Sequence, residues 1–260
     1  MEKIAVVLAT YNEEKHIKDC LTSVEGFADE IIVVDGGSTD RTVSIAKEIG
    51  VKVIIEKNPL MFHINKQKAI EKATKPWILQ LDADERVSDG LKKEISEVIR
   101  KKGKAEYQGY SIPRKNFFMG RWLSKGGQYP DYVVRLFQNG KGRLPCRSVH
   151  EQVEIDGTIG KLKNPLIHYT YSSVSEYWKK AETYTNLTAE DFLSQKISTS
   201  FFSYLTYCFI KPLQTFIRIY VRHKGFVDGY PGFLFALFSG LHFAVAFKKY
   251  LLLPQRGKSS

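Results

Sequence analysis

Residues 77–85 read WILQLDADE, a short strand-like run carrying Trp77, Ile78, Leu79 and Leu81 that ends in three carboxylates, Asp82, Asp84 and Glu85. An apolar run of this length, bounded by polar residues, fits a strand buried on both faces. Strand alternation carries Asp82 and Asp84 to the same side, so both can face one ion, or a ribose and an ion. Hard carboxylate oxygens suit Mg2+ or Mn2+, and an ion held by one or two carboxylates is completed by substrate phosphates. The plainer reading is an acidic turn before a helix, because Asp and Glu are favoured near helix starts.

Upstream, the pattern of apolar strand, polar loop and helix repeats. IAVVLA at 4–9 is followed by TYNEE and by Ile17, Leu21 and Val24 at helical spacing. EIIVVD at 30–35 is followed by GGSTD and a helix from about Arg41 to Ile49, with Val43, Ala46 and Ile49 on one face. VKVIIE at 51–56 and a helix around Lys66 to Ala73 complete the approach to Trp77. Strands alternating with helices in this way predict an α/β fold, with a mostly parallel central sheet covered on both faces. Ligands of such sheets bind beyond the carboxyl ends of the strands. Three polar clusters, Thr10 to Glu14, Asp35 to Asp40 and Asp82 to Glu85, all fall there.

The loop DGGSTD at 35–40 leaves a strand and enters a helix whose expected N-cap is Ser38, Thr39 or Asp40. Gly36 and Gly37 permit close backbone approach, and a helix N-terminus favours an anion. A tight turn with no ligand is the alternative. Asp35 either accepts hydrogen bonds from a base or ribose or caps its own loop. Further on, after a helix at about 88–101, YQGYSIPRKNFFMG and VVRLF at 133–137 read as strands of an α+β extension. Arg135 is a charge in an apolar strand, suited either to a diphosphate or to a partly exposed strand face. In SVHEQV, Glu151 is a candidate general base and His150 a candidate for orienting substrate; a surface strand is the competing reading. His168, in LIHYTY, is either a packed core histidine or a metal ligand.

The formal net charge of +11 suggests an anionic partner. From Lys196 onward nine basic residues face the single acid Asp228, in the most aromatic and aliphatic part of the chain. Basic plus apolar points to an anionic membrane surface rather than nucleic acid. Residues 174–195 read as a helix, and 229–247 form a stretch of 19 residues without a formal charge, just long enough to span a bilayer. Pro231, Ser239, His242 and several glycines argue for two helices lying at or partly in the membrane, a peripheral or monotopic association, with re-entrant or spanning helices and a soluble core helix pair as the alternatives. Cys20, Cys146 and Cys208 are odd in number and lack paired spacing, which argues against a disulfide framework or zinc site and for a reducing compartment.

With these residues assembled, the chain resembles family 2 glycosyltransferases of the GT-A fold. VVLATYNEE at 6–14, DEIIVVDGGSTDRT at 29–42 and QLDADE at 80–85 carry the likeness. DYVVRLF, VHE, IHYTY and the basic hydrophobic C-terminus are similar to bacterial lipopolysaccharide core glycosyltransferases of the inner-core heptose β-glucosyltransferase type. The resemblance implies that Thr10, Tyr11 and Glu13 hold the nucleotide base and ribose, that Asp35 contacts the base, and that Asp82 and Asp84 bind ribose and the metal diphosphate. It implies inverting transfer from a nucleotide sugar, most simply UDP-linked, to a lipid-linked glycan at the cytoplasmic face of the inner membrane. Glu151 is then the base, with Asp131 in YPDYVVR as competitor. On this reading residues 1–100 bind the nucleotide sugar, 101–172 bind the acceptor and supply the base, and 173–260 are helical, basic and membrane-associating. A polyprenyl-phosphate acceptor, or a nucleotide-sugar-binding module without turnover, are the alternatives.

Overall fold

The computed structural model describes residues 3–59, 61–100, 107–146 and 151–253. Contacts divide the chain into two compact units, one of residues 1–115 and 130–168 and the other of 116–129 and 169–260.

The first unit is built on β1 (Ile4–Thr10), β2 (Glu30–Asp35), β3 (Lys52–Ile55) and β4 (Trp77–Leu81), which pair in parallel in the order β3-β2-β1-β4. The continuous apolar run of β1 follows from cover on both faces. Ile4, Val6 and Leu8 point into one core with Ile17 and Leu21 of α1 (Ile17–Thr22) and Leu91, Ile95 and Ile99 of α4 (Asp89–Ile99). Val7 points the opposite way, into a second core with Ile32, Val34 and Ala69 and Ile70 of α3 (His63–Glu71). Period-two alternation thus sorts one strand between two apolar layers.

Beyond β4 the pairing turns antiparallel. β8 (Asp131–Gln138) pairs with β4 and with β6 (Gly109–Phe118), and the sheet continues through β12 (Leu166–Tyr171) to β5 (Glu85–Val87); the short β7 (Arg121–Trp122) and β11 (Ile159–Lys161) add to β6, and β9 (Gly142–Arg143) pairs with β10 (Glu154–Ile155). β6 and β12 lie in the first unit through Lys115 and His168, the points at which the chain passes to the second unit.

The elements expected from periodicity are present, with three physical differences, and β5 is a strand that periodicity did not place. α3 starts at His63 rather than near Lys66, because His63 and Asn65 are buried and tertiary packing extends the helix backward. The cap position of α2 (Thr42–Glu48) is Arg41, and no side chain caps it; Asp40 Oδ1 accepts the Thr42 amide at 2.9 Å instead. After Leu81 the chain is no longer extended: the Glu85 amide donates to the Asp82 carbonyl at 3.0 Å, so strand alternation does not apply to Asp82 and Asp84.

In the second unit, α5 (Val174–Ser194) is capped by Ser173, whose hydroxyl accepts the Glu176 amide at 3.1 Å. A continuous helical run over residues 201–222 contains α6 (Phe201–Leu205) and α7 (Lys211–Phe216), with π-type stretches at Thr206–Ile210 and Ile217–Arg222. Pro212 has no amide to donate into the preceding turn, and wider π-type hydrogen bonding accommodates such a break. A short 3-10 turn, Gly225–Asp228, leads into α8 (Gly229–Leu252). Leu234 and Phe238 of α8 pack with Phe118, Leu123 and Tyr177, and Phe247 and Tyr250 with Phe192 and Tyr207. By length and composition α8 is the one segment among the described residues that is apolar enough to cross a membrane.

Candidate active site

At the ends of β1 and β2 two loops are zipped together by side chains from both. Asp35 is fully buried, 0% exposed. Its Oδ1 accepts the amides of Gly37 (2.9 Å) and Ser38 (2.7 Å), and its Oδ2 accepts the hydroxyls of Thr10 (2.8 Å) and Ser38 (2.6 Å). Asn12, with φ of 55°, donates its amide to Ser38 Oγ (2.8 Å), and its side-chain oxygen accepts the Thr39 amide (2.8 Å). The Glu13 amide donates to Thr42 Oγ1 at 2.7 Å, and the Glu14 amide to Asp40 at 3.1 Å. Hydrogen bonds from Thr42 and from the Glu14 amide outweigh burial and lower the Asp40 pKa. Gly37 has a φ of 79°, which only glycine adopts without strain. Tyr11 projects from this braced frame 45% exposed. Asp35 is thus the knot of the frame, with every bond it makes here directed to the chain itself.

The end of β4 holds a line of charges. Asp82 is clasped by Lys66 from α3 and by Arg135 from β8. Arg135 also donates to Glu85 Oε1 (2.7 Å) and to the side-chain oxygen of Gln80. Glu85, fully buried, accepts the Asp82 amide at 2.9 Å through its other oxygen. Arg114 Nη1 lies 3.9 Å from Glu85, while its Nε and Nη2 donate to Asp131 Oδ2 at 2.9 and 2.7 Å. Burial would raise the Asp82 pKa, but Arg135 and then Lys66 override it and hold the carboxyl well below the usual carboxylate range. For Arg135 burial acts to lower the pKa, and Asp82 and Glu85 reverse it, so the guanidinium stays charged. The turn beneath is fixed by Arg86, whose Nη1 donates to the carbonyls of Ala83 (2.7 Å) and Glu85 (2.9 Å).

Asp84 has a different neighbour. Its Oδ1 lies 3.6 Å from Nε2 of His168, and both side chains are largely buried. The two ligands of a small divalent ion, each about 2.1 Å from it at near-octahedral angles, lie about 3 Å apart. The pair therefore fits one ion after closing by a few tenths of an ångström. No group of three or more metal-binding side chains occurs among the described residues. Two protein ligands leave the remaining positions to substrate phosphates and water, the usual arrangement for Mg2+. His168 is accordingly neither an apolar-core histidine nor remote from the acidic turn.

The two candidate bases sit differently. Asp131 is committed to its two-pronged ion pair with Arg114. Glu151 lies on the α3 side: its main chain accepts a hydrogen bond from the His63 ring, and its carboxylate is felt by His63 and Cys146. Nδ1 of His63 has no partner among the described residues, so Nε2 is the donor. Burial first and then Lys66 lower the His63 pKa, against Glu151 and Asp82. His150 lies outside the described residues. Lys66, Gln80, Arg114, Asn12 and His63 were not singled out by motif. Lys66 did carry a signal, since it falls three residues after His63 and three before Ala69 on the buried stripe of α3.

The ends of the parallel strands thus gather two braced loops, an ionised aspartate and the Asp84–His168 pair on a fold of the GT-A type. The chain belongs to glycosyl transferase family 2, whose family model matches residues 5–152. An uncharacterised glycosyltransferase of Rickettsia prowazekii is 31% identical over 90% of this chain and 82% of its own length. LpsC of Rhizobium meliloti, a lipopolysaccharide core biosynthesis glycosyltransferase, is 27% identical over 95% of this chain and 92% of its own. The crystal structure of Staphylococcus aureus TarS residues 1–349 in complex with UDP shares the fold, with a TM-score of 0.50 at 15% identity over 95% of this chain and 89% of that one.

Proposed function

We propose that this family 2 glycosyltransferase moves a hexose from a UDP-linked donor to a lipid-linked glycan such as lipopolysaccharide core, with inversion at the sugar C1 and with Mg2+ or Mn2+ bound. The observation that carries the reading is the division of labour at the acidic turn, with Asp82 held ionised by Lys66 and Arg135 while Asp84 faces His168. Likeness in sequence to LpsC supports the acceptor class, and the UDP held by TarS, which shares the fold, supports the donor.

In this scheme the braced loops of Thr10, Tyr11, Glu13 and Asp35 receive the nucleoside, Tyr11 offering its exposed ring to the base and Asp35 holding the loops in place. Asp82, a permanent acceptor, takes a ribose hydroxyl. Asp84 and His168 would hold the divalent ion, which would supply Lewis-acid stabilisation of the leaving diphosphate. Lys66 and Arg135 add positive potential beside the same charge. Glu151 removes the proton of the acceptor hydroxyl as its oxygen forms the new bond to C1. The bond from C1 to the phosphate oxygen breaks on the opposite side, and its electrons leave with the diphosphate. The basic, apolar character of the second unit supports a peripheral position at the cytoplasmic face of the membrane that carries the acceptor.

The test is release of UDP from UDP-hexoses with lipid A core fragments, with and without Mg2+ or Mn2+. Asp84→Asn should lower metal-dependent transfer by at least about 100-fold, as should Glu151→Gln for loss of the base, with unfolding temperatures unchanged. Wild-type turnover in Asp84→Asn would overturn the metal assignment. Full activity of Glu151→Gln with loss in Asp131→Asn would transfer the base to Asp131.

A further inference from the structure

Resting on the membrane association just proposed, we infer that the membrane is met by the 201–222 helical run and the turn after it, lying in the plane of an anionic bilayer, and that α8 does not span. Composition alone favours α8 as the anchor. Its packing does not. Inside the second unit, α8 buries Leu234, Ala236, Phe238, Gly240, Phe247 and Tyr250. It is also fastened to α5 by polar bonds: Lys249 Nζ donates to the Glu182 carbonyl (3.1 Å), Thr185 Oγ1 (2.9 Å) and Asn186 Oδ1 (2.6 Å), and His242 Nε2 meets Thr188 Oγ1 at 3.0 Å. The exposed side of α5 carries Lys179, Glu182, Glu190 and Asp191. Drawing α8 across a bilayer would either break these bonds or drag those charges into hydrocarbon, where each is costly.

The 201–222 run has the opposite character. Tyr207 and Thr215 are its buried residues; Tyr207 stacks on Phe247 of α8 with ring centroids 4.9 Å apart, and a Cβ at Gly240 of α8 would come within 2.6 Å of the Pro212 carbonyl. Its outward residues are large and apolar. Phe202 (79% exposed), Phe209, Leu213, Ile217 and Val221 recur at helical spacing along one stripe, and Tyr230, beyond the turn, is 70% exposed. A contiguous apolar stripe of this kind marks an interaction surface rather than a solvated face. Its neighbours select the occupant. Arg218, Arg222 and Lys224 are exposed beside it, and Asp228, the sole acid after residue 196, is buried with its oxygens bound to Ser124 and Lys125. Apolar side chains flanked by cations, with no exposed acid among residues 197–253 to repel headgroups, match an interfacial helix on anionic lipid. A groove of about 440 Å³ lined by Tyr204, Cys208, Ala244, Val245, Lys248 and Leu251 offers an acyl segment room beside a lysine.

The experiment is co-sedimentation of the full chain with phosphatidylcholine vesicles, with and without phosphatidylglycerol. Wild type should bind the anionic vesicles and be released by salt. The triple substitution Phe209→Glu, Leu213→Glu and Ile217→Glu should weaken partition at least about tenfold without lowering the unfolding temperature, since the replaced side chains are exposed. Arg218→Gln with Arg222→Gln should reduce the preference for phosphatidylglycerol while leaving the apolar contribution. Retention of wild-type partition by the triple variant overturns the assignment to this face and leaves membrane association intact. Failure of wild type to bind either vesicle overturns membrane association itself. Concentration-dependent dimerisation of wild type that the triple variant abolishes, without vesicle binding, reassigns the stripe to a second copy of this chain.

Discussion

Arg135→Met removes the one cation among the described residues that pairs with both Asp82 and the buried Glu85. Asp82 keeps Lys66, but Glu85, 0% exposed, keeps only the more distant Arg114 at 3.9 Å and the Asp82 amide at 2.9 Å. Removing one partner of a buried pair typically costs about 3–5 kcal/mol, chiefly from the charge left behind. The residual Arg114 puts the expected loss near the low end, about 3 kcal/mol. At roughly 2–4 °C per kcal/mol for a unit of this size, the first unit should unfold about 6–12 °C lower. Adding Glu85→Gln to Arg135→Met removes the stranded charge yet keeps an acceptor for the Asp82 amide, and should restore about half of the loss or more. Arg135→Lys should fall between wild type and Arg135→Met, because one ammonium cannot bridge two carboxylates and the Gln80 amide as a planar fork does. Thermal unfolding followed by circular dichroism reads all three. A drop of less than about 2 °C in Arg135→Met, or a double variant less stable than the single, would refute the reasoning.

Two further predictions concern other parts of the molecule. Because burial and Lys66 lower the His63 pKa, the unfolded chain takes up this proton at higher pH than the folded one. Stability from the neutral ring is therefore complete above about pH 6.5 and is lost as pH falls through that value; His63→Gln, which keeps an N–H for the Glu151 carbonyl, should flatten the fall in unfolding temperature between about pH 7 and 5, and a profile parallel to wild type would count against it. In the second unit, a Cβ at Gly232 would sit 2.1 Å from the Gly225 carbonyl, whereas one at Gly229, with φ of 67°, meets nothing within 4 Å. Gly232→Ala should cost about 1–3 kcal/mol from overpacking, and Gly229→Ala, at a ψ of −146° in a region essentially restricted to glycine, about 1–3 kcal/mol from backbone strain alone; chemical denaturation checks both, and a loss under about 0.5 kcal/mol in either would contradict its cause.

The parallel half of the sheet was legible because its strands are covered on both faces. IAVVLAT and EIIVVD carry the same message at every position, so no partner need be known to read them. The acidic turn was legible as chemistry but not as geometry. Alternation is a property of extended chain, and the chain stops being extended at Leu81, so Asp82 and Asp84 acquire different neighbours. The residues that give Asp82 its charge state come from α3 and from β8, and no local spacing announces that Lys66 and Arg135 converge. The π-type stretches around Pro212 were equally silent, since a proline in a helical pattern signals interruption without saying how the backbone absorbs it.

Asp228 accepts the Ser124 amide (3.1 Å), the Ser124 hydroxyl (2.8 Å) and the Lys125 amide (2.9 Å) across a separation of 103 or 104 residues. During synthesis at about 5–20 residues per second, that separation is a delay of roughly 5–20 s. Through that interval the segment 116–129 has left the ribosome while the carboxylate that binds its turn, and the Leu234 and Phe238 side chains that pack beside Phe118 and Leu123, have yet to be made. The second unit therefore cannot complete its packing until its last helix has been made, and a nascent chain lacking α8 carries an early segment whose lining is still to come.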